Sequence, residues 1–291
     1  MENNHKNRNF LLVFNRRAGK GSSIHKKELI LKYLEKNNCK YRIITTSELA
    51  LEENLEVYDS VVAVGGDGTI MKVIPFLANT KIKLGIIPCG TANLFASRLN
   101  IPMNIQKAVD ILVSGTSTSV DIGKAGDEYF ALRVGAGYDA EVVKGTKRLW
   151  KRRLGYLAYV VQGMINSFKV SNRHYKVTID NKPYNINANS IIVANSGNMF
   201  RNFFSIAPFS SLHDGKLDVF IMKTKNFWDF LTVFLRVLTG RVHFSSKVMF
   251  SQAKSIKIES LCRDIHIDGE PCHNSIIDIS LIPKALMVVI P

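Results

Sequence analysis

Short apolar runs alternate with helix-like segments through the first 125 residues. Residues 10–15 form an apolar run of strand length that stops at Arg16-Arg17-Ala18-Gly19-Lys20-Gly21-Ser22-Ser23. Ser22 or Ser23 can N-cap a helix whose apolar positions Ile24, Leu31 and Leu34 fall near one face. Residues 41–46 read as a second strand. Residues 60–64 read as a third, uniformly apolar as expected of a strand covered on both faces. It breaks at Gly65-Gly66-Asp67-Gly68-Thr69, and a helical pattern continues through Leu77. Residues 83–87 make a fourth strand, interrupted at Pro88-Cys89-Gly90-Thr91, with a further helix from about Ala92 to Leu99. Strands alternating with short helices predict a parallel, doubly wound sheet with right-handed crossovers.

After Asp121 the spacing changes. Residues 129–134, 175–180, 190–195, 217–222, 255–259, 264–268 and 276–282 read as strands, separated by turn signals such as Asp180-Asn181-Lys182-Pro183 and His213-Asp214-Gly215. One helix stands among them: Asn226 can cap it with Asp229 three residues on, Phe227, Phe230, Leu231, Phe234, Leu235 and Leu238 keep helical spacing, and Gly240 closes it. The predicted architecture is an N-terminal doubly wound three-layer α/β domain over 1–124, completed by the C-terminal segment 282–291. A mostly antiparallel β-sandwich domain covers 125–281.

Composition narrows the class. Of 291 residues 46% are apolar and 22% charged, enough to bury a core, which excludes wholesale disorder and coiled-coil readings. No run approaches 18 apolar residues, and the polar start leads directly into a strand, so neither a membrane span nor a signal peptide is expected. The cysteines Cys39, Cys89, Cys262 and Cys272 are scattered, which fits reduced thiols in a cytoplasmic protein. The net charge of +15 admits nucleic acid, an anionic membrane surface or a phosphorylated small molecule as partner.

The strongest local chemistry lies in two turns. Three glycines around Asp67, between a buried strand and a helix, expose backbone N–H groups at a helix N-terminus, which suits a phosphate. A lone turn of this kind is more often only a turn. Here Pro88-Cys89-Gly90-Thr91-Ala92-Asn93 repeats the strand–turn–helix arrangement, and in a parallel sheet both fall at carboxyl ends, where ligands bind. Gly19-Lys20-Gly21-Ser22 fails the P-loop pattern, because Phe14 stands five residues before Gly19 and Gly21 follows Lys20.

The ordered motifs resemble those of the diacylglycerol-kinase-like lipid kinases, which share an NAD-kinase-like fold. They comprise Asn15-Arg16-Arg17-Ala18-Gly19-Lys20-Gly21, GGDGT at 65–69, Leu84 to Asn93, Asp121-Ile122-Gly123, Gly135 to Ala140, Leu154 to Tyr159, Asp214 to Val219, and Asp268-Gly269-Glu270. The resemblance implies ATP-dependent phosphorylation of a lipid hydroxyl, with the nucleotide in a cleft between the domains. It assigns Asn15, Thr45 or Thr46, Gly65, Gly66, Asp67, Gly68, Thr69, Ile70, Met71 and Thr91 to ATP. Glu270 becomes the general base, and Asp214 the Mg2+ carboxylate flanked by the carbonyls of Ser211 and Lys216. Asn93, Asp121 and Asp268 belong to an accompanying metal or phosphate network. The residues are chemically suited to this, because phosphoryl transfer asks mainly for positioning and charge neutralisation. Read alone, Asp268-Gly269 is a hairpin turn.

The sequence departs from the family pattern in three places, one of them a residue pair. Leu94 stands where an aspartate is usual, Met71-Lys72 where Asn-Glu is usual, and Arg16 where a proline is usual. The alternatives are therefore an NAD kinase, which would carry Asn-Glu after GGDGT, and a catalytically weak lipid-binding regulator, motivated by Leu94. Lys144, Lys147, Arg148, Lys151, Arg152 and Arg153 place six positive charges beside the apolar stretch 154–165, which reads as peripheral contact with an anionic membrane surface. Nucleic acid fits poorly, since no recognition motif accompanies the charge. A homodimer is left open. Cys262, His266, Cys272 and His273 match no standard metal spacing.

Overall fold

The computed structural model describes residues 8–15, 22–137, 172–195, 198–200, 204–205, 211–239, 245–260 and 265–291. The basic cluster 144–153, the stretch 154–165, the loop 16–21, Cys262 and Gly240 lie outside the described residues. The chain divides into two compact units: Met1–Val120 with Lys284–Pro291, and Asp121–Pro283.

In the first unit the chain runs β1 (Asn9–Phe14), α1 (Ser22–Lys36), β2 (Lys40–Thr45), β3 (Ser60–Gly65), α2 (Asp67–Leu77), β4 (Lys83–Pro88), α3 (Leu94–Arg98) and α4 (Ile105–Ser114). The end of the last strand, β18 (Ile276–Ile290), returns beside β4, where Met287 pairs with Lys83. The order is β2-β1-β3-β4-β18, and every pair in it is parallel. β3 is buried at every position, as its unbroken apolar sequence predicts. Side chains alternate across the strands, so Phe10, Leu12, Val62, Val64 and Ile87 share one face and pack against Ile30 and Leu34 of α1 and Val109 and Leu112 of α4. α4, which the sequence reading did not mark, is capped by Asn104, whose side chain accepts the Lys107 N–H, and buries Ala108, Val109, Leu112 and Val113.

The second unit holds β5 (Thr116–Ala125, from Asp121 onward), β6 (Glu128–Phe130), β7 (Arg133–Gly137), β8 (Arg173–Ile179), β9 (Lys182–Ala188), β10 (Ser190–Ala194), β11 (Asn198–Phe200), β12 (Phe204–Ser205) and β13 (Leu217–Met222). It continues with α5 (Phe227–Leu238), β14 (Val248–Ala253), β15 (Ser255–Ser260), β16 (Ile265–Ile267), β17 (Glu270–Cys272) and the first part of β18. One antiparallel sheet runs β14-β13-β10-β7-β16-β17, and a second antiparallel set runs β18-β15-β8-β9. The predicted α/β and antiparallel β architectures are both present. α5 starts as its sequence predicts, with the Asn226 side chain accepting the Asp229 N–H.

Two boundaries differ from the sequence reading. Residues 129–134 are not one strand; the chain leaves β6 and re-enters at β7, because the N–H groups of Ala131, Leu132 and Arg133 are captured by the Asp268 carboxylate. The last strand does not stop at 282 but continues to Ile290.

Candidate active site

In the first unit, β1 leads through α1 to β2 on one side, whereas β3 leads through α2 to β4 on the other. Right-handed crossovers in opposite directions place the two connections on opposite faces. The carboxyl ends of β1 and β3 are therefore the switch point of the sheet, the place where such folds bind ligands. Asn15 follows β1 directly, Gly65 ends β3, and Thr46 donates its N–H to the Phe14 carbonyl at 2.9 Å, so the proposed nucleotide residues of three strands meet at one edge.

The two glycine turns pack backbone against backbone. A Cβ on Gly90 would stand 2.5 Å from the Gly66 Cα, and one on Gly65 would run into the Thr69 side chain. Gly68, by contrast, faces open space and is exposed. Asn93 closes the second turn. In the left-handed conformation at φ 48°, it accepts the Gly90 N–H at 3.0 Å and returns its amide to the Gly90 carbonyl at 2.9 Å. Its side chain thus closes the turn. The Asp67 carboxylate accepts the Phe95 N–H at 3.0 Å, and burial raises its pKa against the lowering pull of those amides. Thr91 and Met71 retain exposure, whereas the Ile70 side chain is in the core, so only its backbone is available.

One residue of this half went unread in the sequence. Lys26 of α1 donates its Nζ to the Cys89 carbonyl at 3.4 Å, which brings a cation to the paired glycine turns. Its signal was a lysine early in a helix that follows a glycine-rich loop. Among the described residues the Cys89 carbonyl takes one of its three donors.

In the second unit, Asp268 and Gly269 form a two-residue hairpin between β16 and β17, with φ of 47° and 92°. Both positive values match the Asp-Gly preference of such turns. The Asp268 carboxylate accepts from Ala131 at 2.7 Å, Leu132 at 3.0 Å and Arg133 at 2.7 Å, and its own N–H binds the Arg133 carbonyl. Burial pushes its pKa up to about 6 against these lowering bonds. The Gly269 N–H reaches Nδ1 of the buried His266 at 3.2 Å. Asp268 is therefore an anchor of the hairpin, engaged with backbone, not an open ligand. Glu270, next along, is exposed.

The loop 211–216 is closed by Asp214, whose two oxygens accept the N–H groups of Ser211 and Lys216, each at 3.0 Å. Gly215, at φ 69°, gives its N–H to the buried Asp121 carboxylate at 2.8 Å. No group of three or more His, Cys, Asp or Glu gathers among the described residues. What the loop offers is one partly exposed carboxylate whose oxygens each accept one backbone N–H among the described residues, together with nearby carbonyls. That donor set fits Mg2+, which keeps several waters and takes one or two carboxylates.

Residues 9–125 match the diacylglycerol kinase catalytic domain, and residues 132–290 match the YegS C-terminal NAD kinase β-sandwich-like domain. The chain belongs to the diacylglycerol-kinase-like lipid kinase family. It is 32% identical to a diacylglycerol kinase of Bacillus subtilis over 225 residues, 76% of this chain and 74% of the relative. Against a diacylglycerol kinase of Staphylococcus aureus it is 30% identical over 227 residues, 77% of this chain and 71% of the relative. A solved diacylglycerol kinase of Bacillus anthracis superposes with a TM-score of 0.79 at 26% identity, covering 97% of both chains. As a lipid kinase the protein is a phosphotransferase with an alcohol acceptor, and the family implies ATP as co-substrate together with a divalent metal. No helix among the described residues is long and apolar enough to cross a membrane.

Proposed function

We propose that the protein transfers the γ-phosphate of ATP to the hydroxyl of a membrane lipid such as diacylglycerol. Glu270 takes the hydroxyl proton, the freed oxygen attacks the γ-phosphorus, and the bond to the β-phosphate oxygen breaks to release ADP. The observation that carries this reading is an exposed carboxylate on a hairpin whose tip is fixed by three backbone bonds, since a general base must be both accessible and held. Asp214 is the carboxylate that would hold Mg2+, with the carbonyls of Ser211 and Lys216 beside it. The ion, when bound, neutralises charge developing on the transferred phosphate.

Asn15, Thr45, Thr46, residues 65–71 and Thr91 line the nucleotide, and Lys26 adds a positive charge for its phosphates. The paired glycine turns support this, because they present backbone N–H groups with no side chain in the way. The net charge of +15 supports peripheral contact with an anionic bilayer, where the lipid substrate resides.

The test is Glu270→Ala assayed with labelled ATP and a lipid extract. Loss of transfer with ATP binding retained is expected; undiminished turnover overturns the assignment of the base. Label entering NAD rather than lipid would overturn the acceptor class.

A further inference from the structure

Asn195 follows β10, is 1% exposed, and has no part in the chemistry described above. Its Nδ2 donates to the Asp121 carbonyl at 2.7 Å and to the Ala131 carbonyl at 3.2 Å. Both partners are carbonyl oxygens, which only accept, so the amide nitrogen must face them. The Asn195 backbone N–H adds a third bond, to the Leu132 carbonyl at 2.9 Å. One buried side chain thus ties together two segments that are ten residues apart in sequence.

Each segment leads to a different part of the candidate active site. On one side the Asp121 carboxylate accepts the Gly215 N–H, and the Asp121 N–H binds the Leu212 carbonyl, so Asp121 grips the loop closed by Asp214. On the other side the N–H groups of Ala131 and Leu132 hold the Asp268 carboxylate, one residue from Gly269 and two from Glu270. An unbroken path runs Asp214 loop–Asp121–Asn195–Ala131–Asp268–Glu270 hairpin. The two Asn195 bonds at its centre are buried, so breaking either leaves a polar group without water.

We propose that Asn195 is a positioning residue that holds the loop of Asp214 and the hairpin of Glu270 in one register. This rests on the reading of Asp214 as the metal carboxylate and Glu270 as the base. Neither needs to touch Asn195. A loop that supplies a metal ligand and a turn that supplies a base work only when both are held within about 0.5 Å of the productive geometry, and this side chain is bonded to the supports of both.

Two arms test the proposal on the full chain. In hydrogen exchange without nucleotide or metal, Asn195→Ala should speed exchange at least tenfold in peptides covering both 211–216 and 265–272, leaving 255–260 unchanged. Asn195→Asp, which turns two bonds into repulsion against carbonyls, should do so more strongly. Unchanged exchange in either segment overturns the link. In the kinetic arm, Asn195→Ala should lower kcat about 10–100-fold and raise the half-saturating Mg2+ concentration, with KM for ATP within about twofold of the parent. The loss should shrink in a Glu270→Gln background, because residues acting as a unit are not additive. A loss equal in both backgrounds, or an unaltered Mg2+ dependence, marks a merely structural residue and overturns the proposal. If Glu270→Gln and Asp214→Asn themselves keep full turnover, the assignment of base and metal carboxylate fails, and the exchange arm still decides the register.

Discussion

The Asp67 carboxylate of the first glycine turn accepts the backbone N–H of Phe95, at 3.0 Å, in the helix after the second. The two turns are thereby joined by a side chain as well as by the Gly66–Gly90 contact. Asp67 acts as an N-cap delivered from outside the helix, against the positive end of α3. Leu94, the residue before Phe95, has no carboxylate to compete for the role.

Replacing Asp67 with alanine should cost about 1 kcal/mol of stability, the ordinary value of a lost helix cap, and should weaken ATP binding as the two turns separate. Chemical denaturation and an ATP-binding titration measure the two effects; unchanged affinity would show that the link does not shape the nucleotide site.

Gly90→Ala and Gly68→Ala should separate sharply. The new Cβ at position 90 meets the Gly66 Cα at 2.5 Å and the Asn93 Oδ1 at 2.7 Å, whereas at position 68 nothing lies within 4 Å. Forcing apart two backbones costs about 1–3 kcal/mol, so the first variant should lose that much stability while the second folds as stably as the parent. Equal denaturation midpoints in the two would contradict the packing argument.

Lys26→Met keeps the length of the side chain and removes its charge. KM for ATP should rise roughly tenfold, equivalent to about 1.4 kcal/mol, with little change in stability, since the 3.4 Å bond to Cys89 is long. An effect on stability without one on KM would assign the lysine to packing alone.

Asp268 gives a pH signature. Its folded pKa of about 6 lies above the ordinary 3.8, so between those values the folded chain holds a proton that the unfolded chain has released. The contribution of this group to stability therefore falls as pH rises from 3.8 to about 6 and is constant above. Denaturation curves across that window, taken as parent minus Asp268→Asn, should show this slope; a flat difference would mean that the three N–H bonds cancel the effect of burial.

Much of the site could be read from the chain because its parts are local. A Gly-rich turn after an apolar strand, an Asp-Gly hairpin and an Asn cap each depend on a few consecutive residues and on backbone sterics. GGDGT, Asp268-Gly269 and the Asn226 cap were legible for that reason. The break between β6 and β7 was not, since it is made by a carboxylate 137 residues from Ala131 along the chain. Nor did sequence show that Asn93 and Asp268 spend their side chains on backbone, because a motif names a residue and not its partner.

By itself, then, the order of residues determined that this protein has an α/β half and an antiparallel half, that its glycine turns follow β3 and β4, and that it belongs with the lipid kinases. Tertiary structure alone decided that Lys26 reaches the Cys89 carbonyl, that Asp67 caps a helix across two turns, and that Asn195 bridges the segments behind Asp214 and Glu270. The physical reason is the range of the forces. Periodicity and turn chemistry act over a few residues, whereas buried hydrogen bonds are settled only when the folded chain has removed water and left each polar group a single set of partners.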